Sequence, residues 1–204
     1  VLAEDGKKMS KRLKNYPDPA DIINTYGADA LRYYLLSSPV VRGETLCFVE
    51  KGVGEIYKKI ILRLENVLSF YEMYQQNDAL EIAGGPLSDG VSSVLDQWIC
   101  ARVNELGQQV ERAFDMYELD IAVKPIGDFI DDLSTWYIRR SRARFKEGGV
   151  DGARAKKTTR ETLLLLSKII APIMPFISED IYRRVRGEKE SVHLEEWPQM
   201  ESRI

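Results

Sequence analysis

Histidine and cysteine are nearly missing from the 204-residue chain: one histidine, His193, and two separated cysteines, Cys47 and Cys100. No zinc-ligand spacing can be assembled from them, so no metal site is expected, and a disulfide framework is not suggested. Both cysteines read as small core hydrophobes in a reducing compartment. His193 reads as structural, because no nucleophile or metal partner accompanies it. Long apolar runs are also lacking. Leu163–Leu166 and Ile169–Ile173 stop well short of a membrane span, and no signal peptide opens the chain, so no membrane partner and a cytoplasmic location are expected. A net positive charge is lacking too: the formal value is −3, which by itself argues against a general nucleic-acid binder.

What is present is an ordinary globular composition, 44% hydrophobic and 30% charged, long enough for one or two domains with a sizeable core. The first residue is Val1 and a lysine-rich stretch follows at once, so the chain reads as an excerpt from a longer protein. Its charge is unevenly spread. Trp136–Lys146 (WYIRRSRARFK) holds five cations in eleven residues. Between Trp136 and Arg160 nine cations face only Glu147 and Asp151, a local +7 on an acidic chain. At helical spacing Ile138, Ser141 and Phe145 share one face, with Ile130, Ser134 and Tyr137 beside it. Arg139, Arg142 and Lys146 form one flanking stripe; Arg140 and Arg144 form another, next to Trp136. Flat arginine and tryptophan groups suit phosphates and unstacked bases, although a solvated basic face would give the same pattern.

Taken in order, Val1–Ala3 reads as a short strand entering an Asp5-Gly6 turn. The next eight residues, Lys7 to Lys14, hold five cations and no acid. Asp18 and Pro19 start a short helix ended by Gly27, and Ala28–Leu36 begins a second. Thr45–Val49 can form one strand. A long amphipathic helix is predicted from Lys51 to about Gln75–Asp78, then a loop over Ala79–Asp89. Further helices are predicted from about Gly90 to Tyr117 and from Leu119 to Lys146, with Pro125 kinking or breaking the latter near its start. Gly148-Gly149 ends it; Asp151–Met174 and Phe176–Val185 follow, and Ser191–Pro198 reads as extended. The fold class is mainly α: an antiparallel helical bundle over 49–204, with a short α/β remnant over 1–48.

Lys8-Met9-Ser10-Lys11 matches the KMSKS signature of class I aminoacyl-tRNA synthetases, with Arg12 in place of the final Ser. The stretch NYPDPADIINTYGADALRYYLLSSP after it resembles the isoleucine, leucine and valine enzymes. SPVVRGE narrows the likeness to the isoleucyl-tRNA synthetase family. LDQWICARVNEL, YELDIAVKPIGDFIDDLSTWYIRRSRARF, LLLLSKIIAPIMPFISEDIYRRV and SVHLEEWP resemble that family's anticodon-binding bundle, in the same order.

The resemblance implies an isoleucine–tRNA ligase that uses ATP, with Mg2+ accompanying the nucleotide, and has isoleucine and tRNA(Ile) as partners. Lys8 and Lys11 would be catalytic, their ammonium groups meeting the ATP phosphates as pyrophosphate leaves, with Lys11 the stronger contributor. Met9 and Ser10 would shape the loop. Trp136, Arg139, Arg140, Arg142 and Arg144 would bind tRNA. Trp136 is also open to a core role, and Arg140 to pairing with Asp132 or Asp180. Trp98, Arg102 and Asn104 read as packing and satisfied polar groups, while Arg154, Lys156, Lys157 and Arg160 either hold phosphates or solvate a helix end. The family's His-x-Gly-His signature, nucleotide fold and editing domain are not in the chain, so it is not expected to be catalytically competent alone. Valyl- or leucyl-tRNA synthetase is disfavoured by SPVVRGE and WYIRRSR. A free-standing helical RNA-binding module is disfavoured by the signature lysines. Oligomeric state is not legible.

Overall fold

A computed structural model describes residues 1–75 and 93–200 of the chain. Local chemistry sets the first helices. Asp18 accepts from the Ala20 amide at 2.9 Å with Pro19 in the first turn, starting α1 (Pro19–Tyr26). Gly27, at φ 83°, ends α1 and admits α2 (Ala28–Leu36) directly. Helix α3 (Glu50–Ile56) continues through a π turn, Tyr57–Ile61, into α4 (Leu62–Gln75), giving one rod. Helix α5 (Val94–Asp115) starts at Ser93, whose hydroxyl accepts from the Asp96 amide at 3.1 Å. The expected loop at Ala79–Asp89 lies outside the described residues.

Helix α6 (Leu119–Asp131) passes through a second π segment, Asp132–Ile138, into α7 (Arg139–Glu147). Pro125 does not break the helix; it sits inside α6 beside half-exposed Ile121, where a carbonyl left without its donor can be hydrated. Gly148 and Gly149, both at positive φ, end the rod, and α8 (Gly149–Ile170) turns back along it. Helix α9 (Pro175–Arg184) closes the bundle.

The core lies between the helices. Leu64, Leu68, Ile99, Val110, Ile126, Ile130, Leu163 and Ile169 are among its fully buried side chains, each contributing about 1.5–3 kcal/mol of burial. Among the described residues no helix is long and apolar enough to cross a membrane.

The ends differ from expectation. Neither strand forms; Leu2 makes only isolated bridges, to Lys8 and to Cys47, because so short a pairing has no further strand to extend it. Cys47 is exposed and Cys100 half-buried, so the core role expected for both is wrong for Cys47. Ser191–Pro198 is not extended throughout but folds a 3-10 turn at Val192–Leu194, where Glu179 accepts from the Val192 amide at 2.9 Å.

Helix α2 latches the first segment to the bundle. Arg32 donates to the carbonyls of Pro172 and Ile173, each at 3.0 Å, closing the end of α8. Asp29 accepts from the amides of Phe176 and Ile177 at 3.4 and 2.6 Å, capping α9. Burial pushes the Tyr33 hydroxyl up to about 12, and it donates to the Val123 carbonyl at 3.2 Å.

Candidate nucleic-acid interface

Two cation-rich features stand on this frame. The first is the loop after Ala3. Backbone bonds from Leu13 and Lys14 to the Ser10 carbonyl, at 3.1 and 3.0 Å, curl its far side, with Lys14 at φ 48°. Asn15 holds the near side: its side chain accepts from the Ser10 amide at 2.9 Å and donates to the Lys8 carbonyl at 3.1 Å. Lys8 and Lys11 are exposed, and among the described residues neither has a carboxylate partner. Met9 and Ser10 are half-buried and carry the turn. Lys7 differs, pairing with Asp5 at 3.2 Å.

The second feature is the rod α6–π–α7. Its buried positions Leu133, Tyr137, Ser141 and Phe145 recur every four residues. In an unbroken α-helix three such steps drift about 120° around the axis. The wider π turn absorbs that drift, keeping all four on the core side. Trp136 is thereby pushed outward. It is 48% exposed, not core, and the Arg140 guanidinium lies 3.8 Å over its ring. Arg140 pairs with neither aspartate considered above: Asp132 takes Arg102 at 2.9 Å and Asp180 takes Arg184 at 2.9 Å. Arg139 and Arg142 are exposed without a carboxylate partner among the described residues. Arg142 leans toward Phe70, 5.9 Å from its ring.

Arg144 is placed otherwise. Its side chain is only 14% exposed, and its donors are committed: two to Asp96, at 2.8 and 2.7 Å, and two to the Asp151 carboxylate, each at 2.8 Å. Asp96 also accepts from the Tyr137 hydroxyl at 2.8 Å. Burial raises the Asp96 carboxyl, but the Arg144 and Tyr137 donors outweigh it and hold the group below its ordinary value. Arg144 therefore joins α5, α7 and α8 and does not reach the basic surface with the other four residues expected there.

Arg102 and Asn104 are satisfied polar groups, as expected, whereas Arg160, expected to hold phosphates or solvate a helix end, binds backbone carbonyls. Arg102 is held by Asp132 and Glu105, and Asn104 donates to the Cys100 carbonyl at 2.8 Å. Arg160 donates to the carbonyls of Val185 and Arg186 at 3.0 and 2.8 Å, finishing α9. His193 is exposed in its turn. Sequence reasoning missed Asp96, Asp151 and Asn15. Only Asp96 left a signal, as the acid three residues after a capping serine.

The bundle thus displays a stacked Arg–Trp pair beside two exposed arginines. Residues 96–203 match the model of the anticodon-binding domain of tRNA ligase, and residues 1–47 that of class I tRNA synthetases (I, L, M and V). The chain belongs to the family of tRNA-ligase anticodon-binding domains. It is 46% identical over 210 residues to an isoleucine–tRNA ligase of Chlamydia trachomatis, covering 97% of this chain and 19% of that protein. To the Chlamydia caviae isoleucine–tRNA ligase it is 47% identical over 205 residues, covering 98% and 20%. The chain thus spans about a fifth of the length of these relatives. In fold it is similar to the LeuRS of Agrobacterium radiobacter K84, in a ternary complex with tRNA and LeuAMS. The TM-score is 0.68 at 20% identity, covering 98% of this chain and 23% of that one. It is also similar to methionyl-tRNA synthetase of Mycobacterium tuberculosis, at TM-score 0.64 and 23% identity, covering 85% and 35%.

Proposed function

We propose that this chain is the part of an isoleucine–tRNA ligase that links chemistry at ATP to recognition of tRNA(Ile). In this reading residues 1–48 are the edge of the catalytic domain, and 49–204 are the anticodon-binding domain of a cytoplasmic enzyme. Identity of 46–47% to ligases named for isoleucine favours isoleucine over valine or leucine. The observation that carries the RNA reading is the Trp136–Arg140 stack. A guanidinium already lying on a half-exposed indole makes a flat cationic platform on which a splayed base can stack. Arg139 and Arg142, free of carboxylates among the described residues, supply phosphate contacts beside it.

At the other end, Lys8 and Lys11 sit on a loop held mainly by backbone bonds and by Asn15. Such a loop can close over a triphosphate and open again. As the isoleucine carboxylate attacks the α-phosphate of ATP, charge grows on the departing pyrophosphate, and the two ammonium groups meet it there. In this reading Mg2+ accompanies the nucleotide. The chain alone would not form adenylate.

Titration with tRNA(Ile) across a salt series tests the RNA reading. Phosphate contacts give a slope of roughly 0.7 to 0.9 log units of affinity per contact per log unit of salt. Arg139→Ala with Arg142→Ala should flatten the slope by about two contacts' worth. A folded double variant with the parent's affinity and slope would show that the helix is only a solvated face.

A further inference from the structure

Trp136 and Tyr137 are neighbours in the chain with opposite fates: one ring is half in solvent and the other fully buried. Between them they fix how the π segment is rotated. A π turn lacks the regular ladder of an α-helix, so its orientation depends on what its inward side chains hold. Leu133 and Ile138 hold it by packing, which is weakly directional. Tyr137 holds it by a bond. Its hydroxyl donates to Asp96 Oδ1 at 2.8 Å, with a weaker contact to the Ala155 carbonyl at 3.4 Å. The carboxylate it meets is 1% exposed and is gripped as well by Arg144, which donates to Oδ1 at 2.8 Å and to Oδ2 at 2.7 Å. Arg144 is itself tied to Asp151 at the start of α8. The tip of the Tyr137 ring therefore rests on a point fixed by three helices. A phenylalanine would fill nearly the same volume, so the hydroxyl's distinct contribution is direction.

We infer that Tyr137 and Asp96 are positioning residues that set the angle at which Trp136 and Arg140 are presented to RNA. The inference rests on the reading of that stack as an RNA platform. Arg144 serves the same end from inside the bundle by immobilising Asp96, which is why one arginine of the basic run is withdrawn from the surface.

A double-mutant cycle separates positioning from mere support. Binding of an isoleucine tRNA transcript is measured at fixed salt for the full chain and for Tyr137→Phe, Trp136→Ala and the two combined, with thermal melts of each. Tyr137→Phe should weaken binding about five- to tenfold, leaving the salt slope unchanged. On the Trp136→Ala background the same change should have no further effect, since the platform it orients is gone. If the phenylalanine variant melts too early, the cycle is run below its melting midpoint, where the folded Tyr137→Phe protein should show the same dependence on Trp136. Losses that multiply across the cycle, or a folded Tyr137→Phe protein that binds like the parent, overturn the inference while leaving the platform intact. Binding unaffected by Trp136→Ala removes the platform itself, and the RNA reading with it.

Discussion

The loop Lys7–Lys14 and the helix Trp136–Lys146 each carry five cations, yet they treat them differently. In the loop all five are exposed. In the helix four are exposed, and Arg144 is drawn inside to two carboxylates. A loop has no period, so it cannot sort side chains by face; a helix sorts every one of them. Charge density therefore says little about a cation's role until its phase is known. The same difference bears on motion. The loop is tied by a few backbone bonds and one asparagine, whereas the helix is anchored through a buried ionic network. The loop has few ties to resist movement; the helix is held in place.

The loop and the helix differ most at Arg144. Replacing Arg144 with Ala leaves Asp96 buried without its cation and should cost about 3–5 kcal/mol in chemical denaturation. Arg139→Ala, five residues earlier and exposed, should stay within about 0.5 kcal/mol. The Arg144 contribution also depends on pH. Asp96 is depressed in the fold, so its stabilisation is fully present above the unfolded carboxylate value of about 3.9. It is lost as pH falls through the lower folded value. Denaturation midpoints of the parent and Arg144→Ala should converge in acid. Equal stabilities near neutrality would mean that the network is ornamental.

The bundle was legible because burial recurs at three and four, as Val103, Leu106 and Val110 do on α5. The order Lys8-Met9-Ser10-Lys11 lies within the stretch that matches class I tRNA synthetases, and the Ile138–Ser141–Phe145 face emerged as expected. What could not be read were the π turns. They show only as runs of four-residue steps, which an unbroken helix tolerates until its neighbours demand one side. Missing them hid the outward push on Trp136, leaving core and surface both open for that ring. Arg144 was misplaced for a related reason: its partners Asp96 and Asp151 lie on other helices, and no local spacing announces a pairing across 48 residues. The strands failed differently. Leu2 and Cys47 do meet, but a strand needs neighbours, and sequence alone does not say whether they are there.

The loop is tested next, in an intact ligase carrying this segment. Lys11→Ala should raise the barrier to adenylate formation by about 3 kcal/mol, the scale of one lost transition-state charge contact. The melting temperature should not change, because Lys11 is exposed and pairs with no carboxylate among the described residues. Pre-steady-state adenylation is the measurement. An unchanged rate would place the chemistry elsewhere and leave this loop as solvated as its composition first allowed.

The smallest expected effect lies in what holds the loop. Asn15 supplies both side-chain ties, accepting from Ser10 and donating to the Lys8 carbonyl, so it sets the path between the two signature lysines. Two partly exposed hydrogen bonds contribute about 1 kcal/mol together. Asn15→Ala should therefore leave global stability alone, since the loop lies outside the bundle core, and act on local opening. The Ser10 amide should exchange with solvent about five times faster, matching that local loss. Asn15→Asp keeps the acceptor for Ser10 and loses the donor to Lys8, so Ser10 should stay slower to exchange than in the alanine variant. If exchange at Ser10 is the same in all three proteins, the backbone bonds alone hold the loop, and the asparagine is a bystander to a fold that Lys14 and Ser10 already impose.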